Sequence, residues 1–248
     1  MKVSVITATL NNEDTITDCI RNLQSQTYAD IEHIVVDGVS KDSTLHIINE
    51  ISPESILISE PDKGIYDALN KGISRASGDL IGFLHADDLF ASDQTIEHMV
   101  AAIKANSADG VYGDLCYLRQ DGRIQRRWTS APFQKKMIGQ GWMPPHPTLF
   151  LTRRVYAEFG LFDESLRISA DYDFILRIFM SGDLNLAYLP ETLVHMRTGG
   201  VSNRSLSTIL QKSREDYKVL RRNKLPFPLL TLLRKNLSKL PQFFSSRD

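Results

Sequence analysis

What most limits the fold of this chain is the alternation in its first hundred residues, where short β-branched apolar runs repeatedly give way to stretches with helical spacing. Strands of that composition are buried on both faces and need helices to cover them, so the pattern predicts an α/β protein with a mostly parallel central sheet. Val3 to Thr9 reads as the first strand, and Asn12 stands where it can cap a helix reaching about Gln26, with Ile16, Ile20 and Leu23 on one face. Ile31 to Val36 is a second strand closed by Asp37-Gly38, followed by a helix from about Lys41 to Ile51. A third strand over Ile56 to Ser59, a helix over Ile65 to Ala76 and a fourth strand over Leu80 to Leu84 complete the series, which runs into His85-Ala86-Asp87-Asp88.

Past residue 100 the rhythm loosens. Val111 to Leu118 and Arg123 to Trp128 flank Asp121-Gly122, a dipeptide suited to a hairpin turn. Gly139 to Pro147 reads as a loop, Asp171 to Met180 as a short helix with Phe174, Ile175, Ile178 and Phe179 on its apolar side, and a longer polar helix is expected after Asn203. The expected organisation is one large domain over residues 1–210, Rossmann-like with a small mixed C-terminal portion, and a helical tail over 211–248. At this size about 70–75% of the unfolded surface can be buried, so the core needs no disulfide or structural metal. Cys19 and Cys116, far apart and without CxxC spacing, are expected as free thiols in a reducing compartment.

Ligands of open α/β sheets bind outside the carboxyl ends of the strands. Asp37 follows the second strand, Asp62 the third, and Asp87 with Asp88 the fourth. Each of these positions is also what a good turn requires, but together they make an acidic edge. Such an edge repels a bare diphosphate, so a nucleotide-sugar ligand there needs a divalent cation, Mn2+ or Mg2+, held by one or two carboxylates and the phosphates. Asp171 at the head of the late helix is suited either to capping it or to accepting the proton of an attacking hydroxyl. Asp173 and Arg177, four apart, suit an ordinary helical ion pair.

Four stretches, VSVITATLNN, VVDGVSKDST, DKGIYDALNKGISRASGDLIGFLHADD and FDESLRISADYDFILR, closely resemble the family 2 glycosyltransferases of the GT-A fold over about residues 1 to 200. The resemblance implies an inverting glycosyltransferase of the hexosyltransferase type that moves one sugar from a nucleotide diphosphate donor, most often a UDP-sugar, to an acceptor hydroxyl. It assigns Thr7, Thr9 and Asp37 to the base and ribose, Asp87 and Asp88 to ribose and metal, and Asp171 to the general base. Where the family commonly has Arg before the Asn of the third helix this chain has Leu69, which leaves Lys63 or Lys71 for a phosphate contact. His85 stands at the first position of the DxD-like motif, and Ala170 where Glu is frequent before the base. His146, within Pro-Pro-His-Pro-Thr, is expected on the acceptor side or as a structural residue, and His195 as a late metal ligand. Gly199-Gly200-Val201-Ser202 would follow as a loop over the diphosphate.

The rival chemistries leave weaker marks. A sugar nucleotidyltransferase wants a Gly-rich basic loop after the first strand, where this chain has Thr-Leu-Asn-Asn; GxGxxG and GxxxxGK[ST] do not occur. A non-catalytic nucleotide-sugar-binding subunit is the other alternative. Gln125-Arg126-Arg127-Trp128 is one residue short of the QxxRW motif of processive synthases and precedes Asp171, so transfer of a single sugar is expected.

Charge divides along the chain. From Gln211 to Asp248 ten Lys or Arg face three Asp or Glu, a net +7, which leaves −8 for the rest of a chain whose total is −1. In the tail, Leu229, Leu232, Leu233, Leu237 and Leu240 fall near one helical face beside Arg234, Lys235 and Lys239. That pattern predicts either reversible attachment to an anionic membrane through residues Leu225 to Phe244 or packing on protein, including a homodimer. The opening apolar run is too short for a signal peptide, and no stretch reaches the roughly 18 apolar residues of a membrane span. The expectation is a cytoplasmic enzyme, at the inner face of the plasma membrane, acting on a saccharide or lipid-linked acceptor of bacterial polysaccharide biosynthesis and not on nucleic acid.

Overall fold

The computed structural model describes residues 1–119, 121–197 and 206–238. Four strands form the parallel half: β1 (Val3–Thr9), β2 (Ile31–Asp37), β3 (Ile56–Ser59) and β4 (Leu80–Phe83). Between them run α1 (Ile16–Gln24), α2 (Thr44–Ile51) and α3 (Ile65–Arg75). The strand order β3-β2-β1-β4 brings Thr9, Asp37 and Ser59 level, so the carboxyl ends of three strands share one edge.

Helices α1 and α2 begin later than their spacing suggests, while α3 begins at Ile65 as expected. Asn12 does not cap α1 with its side chain, because its Oδ1 accepts from the Thr9 hydroxyl and the Leu10 N–H, both at 3.1 Å. The first turn instead folds onto the Asn12 carbonyl, which accepts from the amides of Thr15 and Ile16. Before α2, Asp42 and Thr44 are likewise taken up by amides of neighbouring loops.

The second half adds β5 (Asp88–Phe90), α4 (Thr95–Asn106), β6 (Gly110–Leu118), β7 (Ile124–Trp128), β8 (Phe150–Thr152), α5 (Arg153–Phe159), α6 (Ala170–Ser181) and β9 (Leu186–Arg197). The sheet continues as β4-β8-β6-β9-β5, with β8 antiparallel to both neighbours and β7 pairing β6 as the expected hairpin. Gly122 takes φ 78° in that turn, a conformation glycine adopts without steric cost. Gly82 in β4 makes room for the neighbouring strand: a methyl there would stand 2.2 Å from the Phe150 ring of β8. The stretch expected as a plain loop, Gly139 to Pro147, is flanked and partly overlapped by two 3-10 turns, Lys135–Gln140 and His146–Thr148.

Apolar side chains fill both sides of the sheet. One cluster joins β1, β2 and α3 to α6, with Ile6, Ile34, Leu69, Phe174 and Ile178 buried in it; the other joins β1, β4, α4 and β6. Cys19 and Cys116 are buried free thiols.

The tail folds onto this body. Helix α7 (Leu206–Arg222) runs through residue 210, so a boundary there falls inside a helix, and α8 (Pro228–Leu237) lies against the turn at Gly141. The Glu215 carboxylate accepts from the amides of Arg167, Ile168 and Ser169, fixing the turn that leads into α6. Arg222 and Asn223 bind the fully buried Asp173, which also carries the expected pair with Arg177.

Candidate active site

At the ends of β1 to β3 the polar groups organise one another. Asp37 is fully buried, and its carboxylate accepts from the amides of Val39 and Ser40 at 3.0 and 3.1 Å, from the Ser59 hydroxyl at 2.8 Å and from the Ser40 hydroxyl. That bonding holds Val39 at φ 66° and makes Asp37 the organiser of its own loop. Gly38 admits the next loop: a methyl at this position would stand 2.5 Å from Asp62 Oδ2. Thr7 is fully buried, with Oγ1 3.1 Å from His33 Nε2, and Thr9 is spent on Asn12.

Of the two lysines expected near phosphate, Lys71 is engaged by Glu60 at 3.0 Å, Asp67 at 3.4 Å and the Pro61 carbonyl at 2.8 Å. Lys63 is open, with only a 3.9 Å approach to Glu164.

The loop after β4 differs from these. Asp88 is fully buried, yet neither carboxylate oxygen has a hydrogen-bond partner. Burial, and after it the charge of the half-exposed Asp87, pushes the Asp88 carboxyl well above the usual carboxylate range, against the nearby backbone amide and charge of Arg197, whose approach falls short of a formed hydrogen bond. An anion left without donors in the interior is costly, and a bound cation removes that cost. The residues present therefore fit a divalent metal at Asp88 with Asp87. Among the described residues no group of three or more His, Cys, Asp or Glu forms a metal cage, and Mg2+-type sites often use one or two carboxylates plus substrate phosphates.

His195 does not join Asp88. In the β5–β9 ladder Asp88 lies opposite Met196 and Leu89 opposite His195, so alternation sends the two side chains to opposite faces of the sheet. His195 lies level with Cys116, itself level with Arg127; burial first and the Arg127 charge second lower its pKa. The ladder lends no support to an ion shared by Asp88 and His195. Gly199 to Ser202 lie outside the described residues.

Asp171, in the first turn of α6, forms the second cluster. Its Oδ2 is 3.1 Å from His146 Nδ1, and the Tyr66 hydroxyl lies 3.1 Å from Oδ1 and 2.7 Å from the Ile168 carbonyl. Burial works to raise the Asp171 pKa, but the facing His146, Lys235 and Lys212 outweigh it and hold the carboxyl below its ordinary value. The His146 pKa is lowered, chiefly by burial, with Asp171 opposing and Lys212 and Lys235 adding. His85, two residues before Asp87, meets the His146 ring edge to face at 6.2 Å, which sets this cluster beside the acidic loop. Burial first, then His146, holds the His85 pKa down at about 4, against Asp87 and Asp171.

Tyr66, Lys212 and Lys235 carry no signal in the sequence that ties them to Asp171. Lys235 is almost fully buried, 2.8 Å from Asp216 Oδ2 and 3.2 Å from the centroid of the Tyr172 ring. A surface concavity lined by Lys2, Tyr28, Glu32 and His33 holds none of the expected site residues.

The family model "Glycosyl transferase family 2" matches residues 4–160, more than half of the chain. The chain belongs to this family. It is a glycosyltransferase, which sets aside the nucleotidyltransferase and the non-catalytic binder. An uncharacterized glycosyltransferase of Mycobacterium tuberculosis is 35% identical over 180 residues, 71% of this chain and 68% of that protein. The PGL/p-HBAD biosynthesis glycosyltransferase of Mycobacterium bovis is 31% identical over 206 residues, 81% of this glycosyltransferase and 78% of the relative. Among solved structures, residues 1–349 of S. aureus TarS share the fold at a TM-score of 0.67 and 18% identity, with 99% of this chain and 79% of that chain covered. The mannosyltransferase PcManGT of Pyrobaculum calidifontis, solved with GDP-Man and Mn2+, does so at 0.67 and 18%, covering 99% and 73%. These neighbours confirm the GT-A architecture, its curled, mostly parallel sheet flanked by helices.

Proposed function

We propose that this glycosyltransferase moves one sugar from a nucleotide diphosphate sugar, a UDP-sugar foremost, to an acceptor hydroxyl with inversion at the anomeric carbon. The observation that carries the reading is the meeting of two carboxylate sites of opposite character. Asp88 is a buried acid suited to a cation, and Asp171 an ionised acid paired with His146, a pair suited to receiving a proton. One base acting in one displacement accounts for inversion. Asp88 with Asp87 would hold Mn2+ or Mg2+, which when bound offsets the charge of the diphosphate. The chain's own residues do the rest: the Asp37 and Thr9 loops shape the nucleotide side, Lys63 offers a cation to phosphate, and Asp171 with His146 serves the acceptor.

TarS has been solved with UDP and with UDP-GlcNAc, and PcManGT with GDP-Man and Mn2+; both support a nucleotide-sugar donor, and the second a divalent metal. For the acceptor we favour a lipid-linked saccharide of cell-surface polysaccharide biosynthesis, met at the cytoplasmic face of a membrane. A 27% identical stretch of the chondroitin synthase of Pasteurella multocida, 18% of that protein's length, and the apolar face of α8 support it.

Calorimetric titration of UDP-, GDP- and dTDP-sugars with and without manganese tests the proposal. At least one donor is expected to bind more tightly with manganese, and Asp88→Asn to abolish the difference while the fold melts as before. Equal affinities in both conditions would remove the metal-bridged diphosphate from the reading.

A further inference from the structure

Within its cluster the Asp171 carboxylate is the less exposed partner. Its side chain is 18% exposed against 36% for His146, and each of its oxygens already faces a donor, Tyr66 O–H at Oδ1 and His146 Nδ1 at Oδ2. His146 Nε2 makes no hydrogen bond among the described residues. The histidine is rigidly mounted. It opens the 3-10 turn His146–Thr148 between Pro145 and Pro147, and Thr148 ties that turn to β6: its hydroxyl lies 3.0 Å from the Gly113 carbonyl and accepts from the Gly113 amide at 3.2 Å.

Building on the proposed glycosyl transfer, we infer that His146 is the catalytic group that takes the acceptor proton, through Nε2, and that Asp171 orients the ring through Nδ1–H and stabilises the imidazolium. This is the logic by which a buried carboxylate fixes the tautomer of a histidine base. As the acceptor oxygen bonds to the anomeric carbon, its proton passes to Nε2. The anomeric carbon–phosphate oxygen bond breaks with its electron pair leaving on the nucleoside diphosphate. The imidazolium then returns the proton to solvent.

The surroundings suit this division. Asp171 stays ionised below its ordinary pKa, and the lowered pKa of His146 keeps the ring neutral and able to accept. The groups facing the pair are His85 from the loop after β4, Tyr66 from α3, Lys212 from α7 and Lys235 from α8. Burial first, with the Lys212 and Lys235 charges adding to it and the Asp171 carboxylate opposing, disfavours a resting imidazolium.

The test has two arms, both on the full chain. In 15N-histidine-labelled protein at pH 7.5, with the His146 signals identified by their loss in His146→Gln, the ring is expected as the Nδ1–H tautomer with an unprotonated Nε2. Asp171→Asn should disturb that state. An Nε2–H tautomer overturns the proposal whatever the substrate. In the second arm, nucleoside diphosphate release from UDP-, GDP- and dTDP-sugars with manganese is followed for wild type, His146→Gln, Asp171→Asn and the double variant. Each single variant is expected to lose about 10²–10⁴-fold in turnover with donor KM within a few-fold, and the double variant to lose little more. Free imidazole should partly restore His146→Ala. His146→Gln within about three-fold of wild type, with Asp171→Asn crippled, overturns the histidine and leaves Asp171 as the base. A wild type that releases no nucleoside diphosphate from any donor overturns the proposed function, and this inference with it.

Discussion

Asp88 and Glu32 show how far the same functional group can be driven in opposite directions by its neighbours. Where Asp88 has no donor, Glu32 accepts from Lys2 Nζ at 2.9 Å, Ser4 Oγ at 2.7 Å, and the Ser77 amide and hydroxyl at 2.8 and 2.6 Å. Burial works to raise its pKa, but the bonds from Ser77, Lys2 and Ser4 outweigh it and hold it at about 2. A carboxyl whose folded pKa is depressed stabilises the fold above its unfolded value and loses that contribution as the pH falls through the folded one. For Glu32 the window runs from about 4.5 down to about 2. Denaturant melts between pH 5.5 and 2.5 should therefore show a loss to which Glu32 contributes on the order of 2 kcal/mol. Glu32→Gln should be less stable at pH 5.5 and show a flatter decline; curves that stay parallel would mean that the bonds to Glu32 do not set its titration.

At the scale of elements, the tail helices belong to the packing of α6. Lys235 is the plainest case, since its helical spacing beside leucines suits a membrane-facing cation, whereas the structure buries it against Asp216 and Tyr172. The tail's basic character is thus partly spent inside the protein. The Ser169 hydroxyl also donates to Asp216, at 2.8 Å, so the pair is linked to the residue two before Asp171. Removing one partner of a buried ion pair leaves a charge uncompensated and typically costs about 3–5 kcal/mol. Lys235→Met is expected to destabilise by that order in urea, and Asp216→Asn added to it to recover part of the loss. A Lys235→Met protein as stable as wild type would show that α8 does not stabilise the fold through this pair.

Viewed whole, the protein turns an apolar face outward. With Thr231 and Lys235 inside, α8 exposes Leu229, Leu230, Leu233 and Leu237, and Phe227 before it is 75% exposed. Arg234 and Lys224 stand exposed on the same segment, and no helix among the described residues is long and apolar enough to cross a membrane. Leu240, Lys239 and Phe244, part of the same sequence pattern, lie outside the described residues. Exposed leucines beside cations suit reversible binding to an anionic bilayer, each Lys or Arg contributing about 1 kcal/mol near its surface. Truncation at Lys224 would remove Lys235, so the informative variant is Leu229→Gln/Leu233→Gln/Leu237→Gln. Wild type should sediment with phosphatidylglycerol vesicles at low salt and the variant should not. If wild type stays in the supernatant and elutes as a dimer that the variant breaks, the face is a subunit contact.

The parallel half of the sheet and its acidic edge were legible in the local order of residues. Central strands buried on both faces read as near-continuous apolar runs, and the acids that end them stand out against that background, so β1, β2 and β4 with Asp37, Asp87 and Asp88 were legible, and β3 as a shorter half-buried edge. The sequence offered less for β5, β8 and β9, because two are three residues long and the third carries Pro190 and Glu191, so alternation never accumulates. Asp171 and His146 could be singled out by residue type and motif, but their contact spans 25 positions, and Lys235 reaches the same cluster from far down the tail. Tertiary structure alone decided which carboxylate is satisfied, which is orphaned and which histidine meets which acid. Those outcomes depend on register and on helix docking, and a one-residue change in register sends a side chain to the other face, as it does for His195 and Asp88.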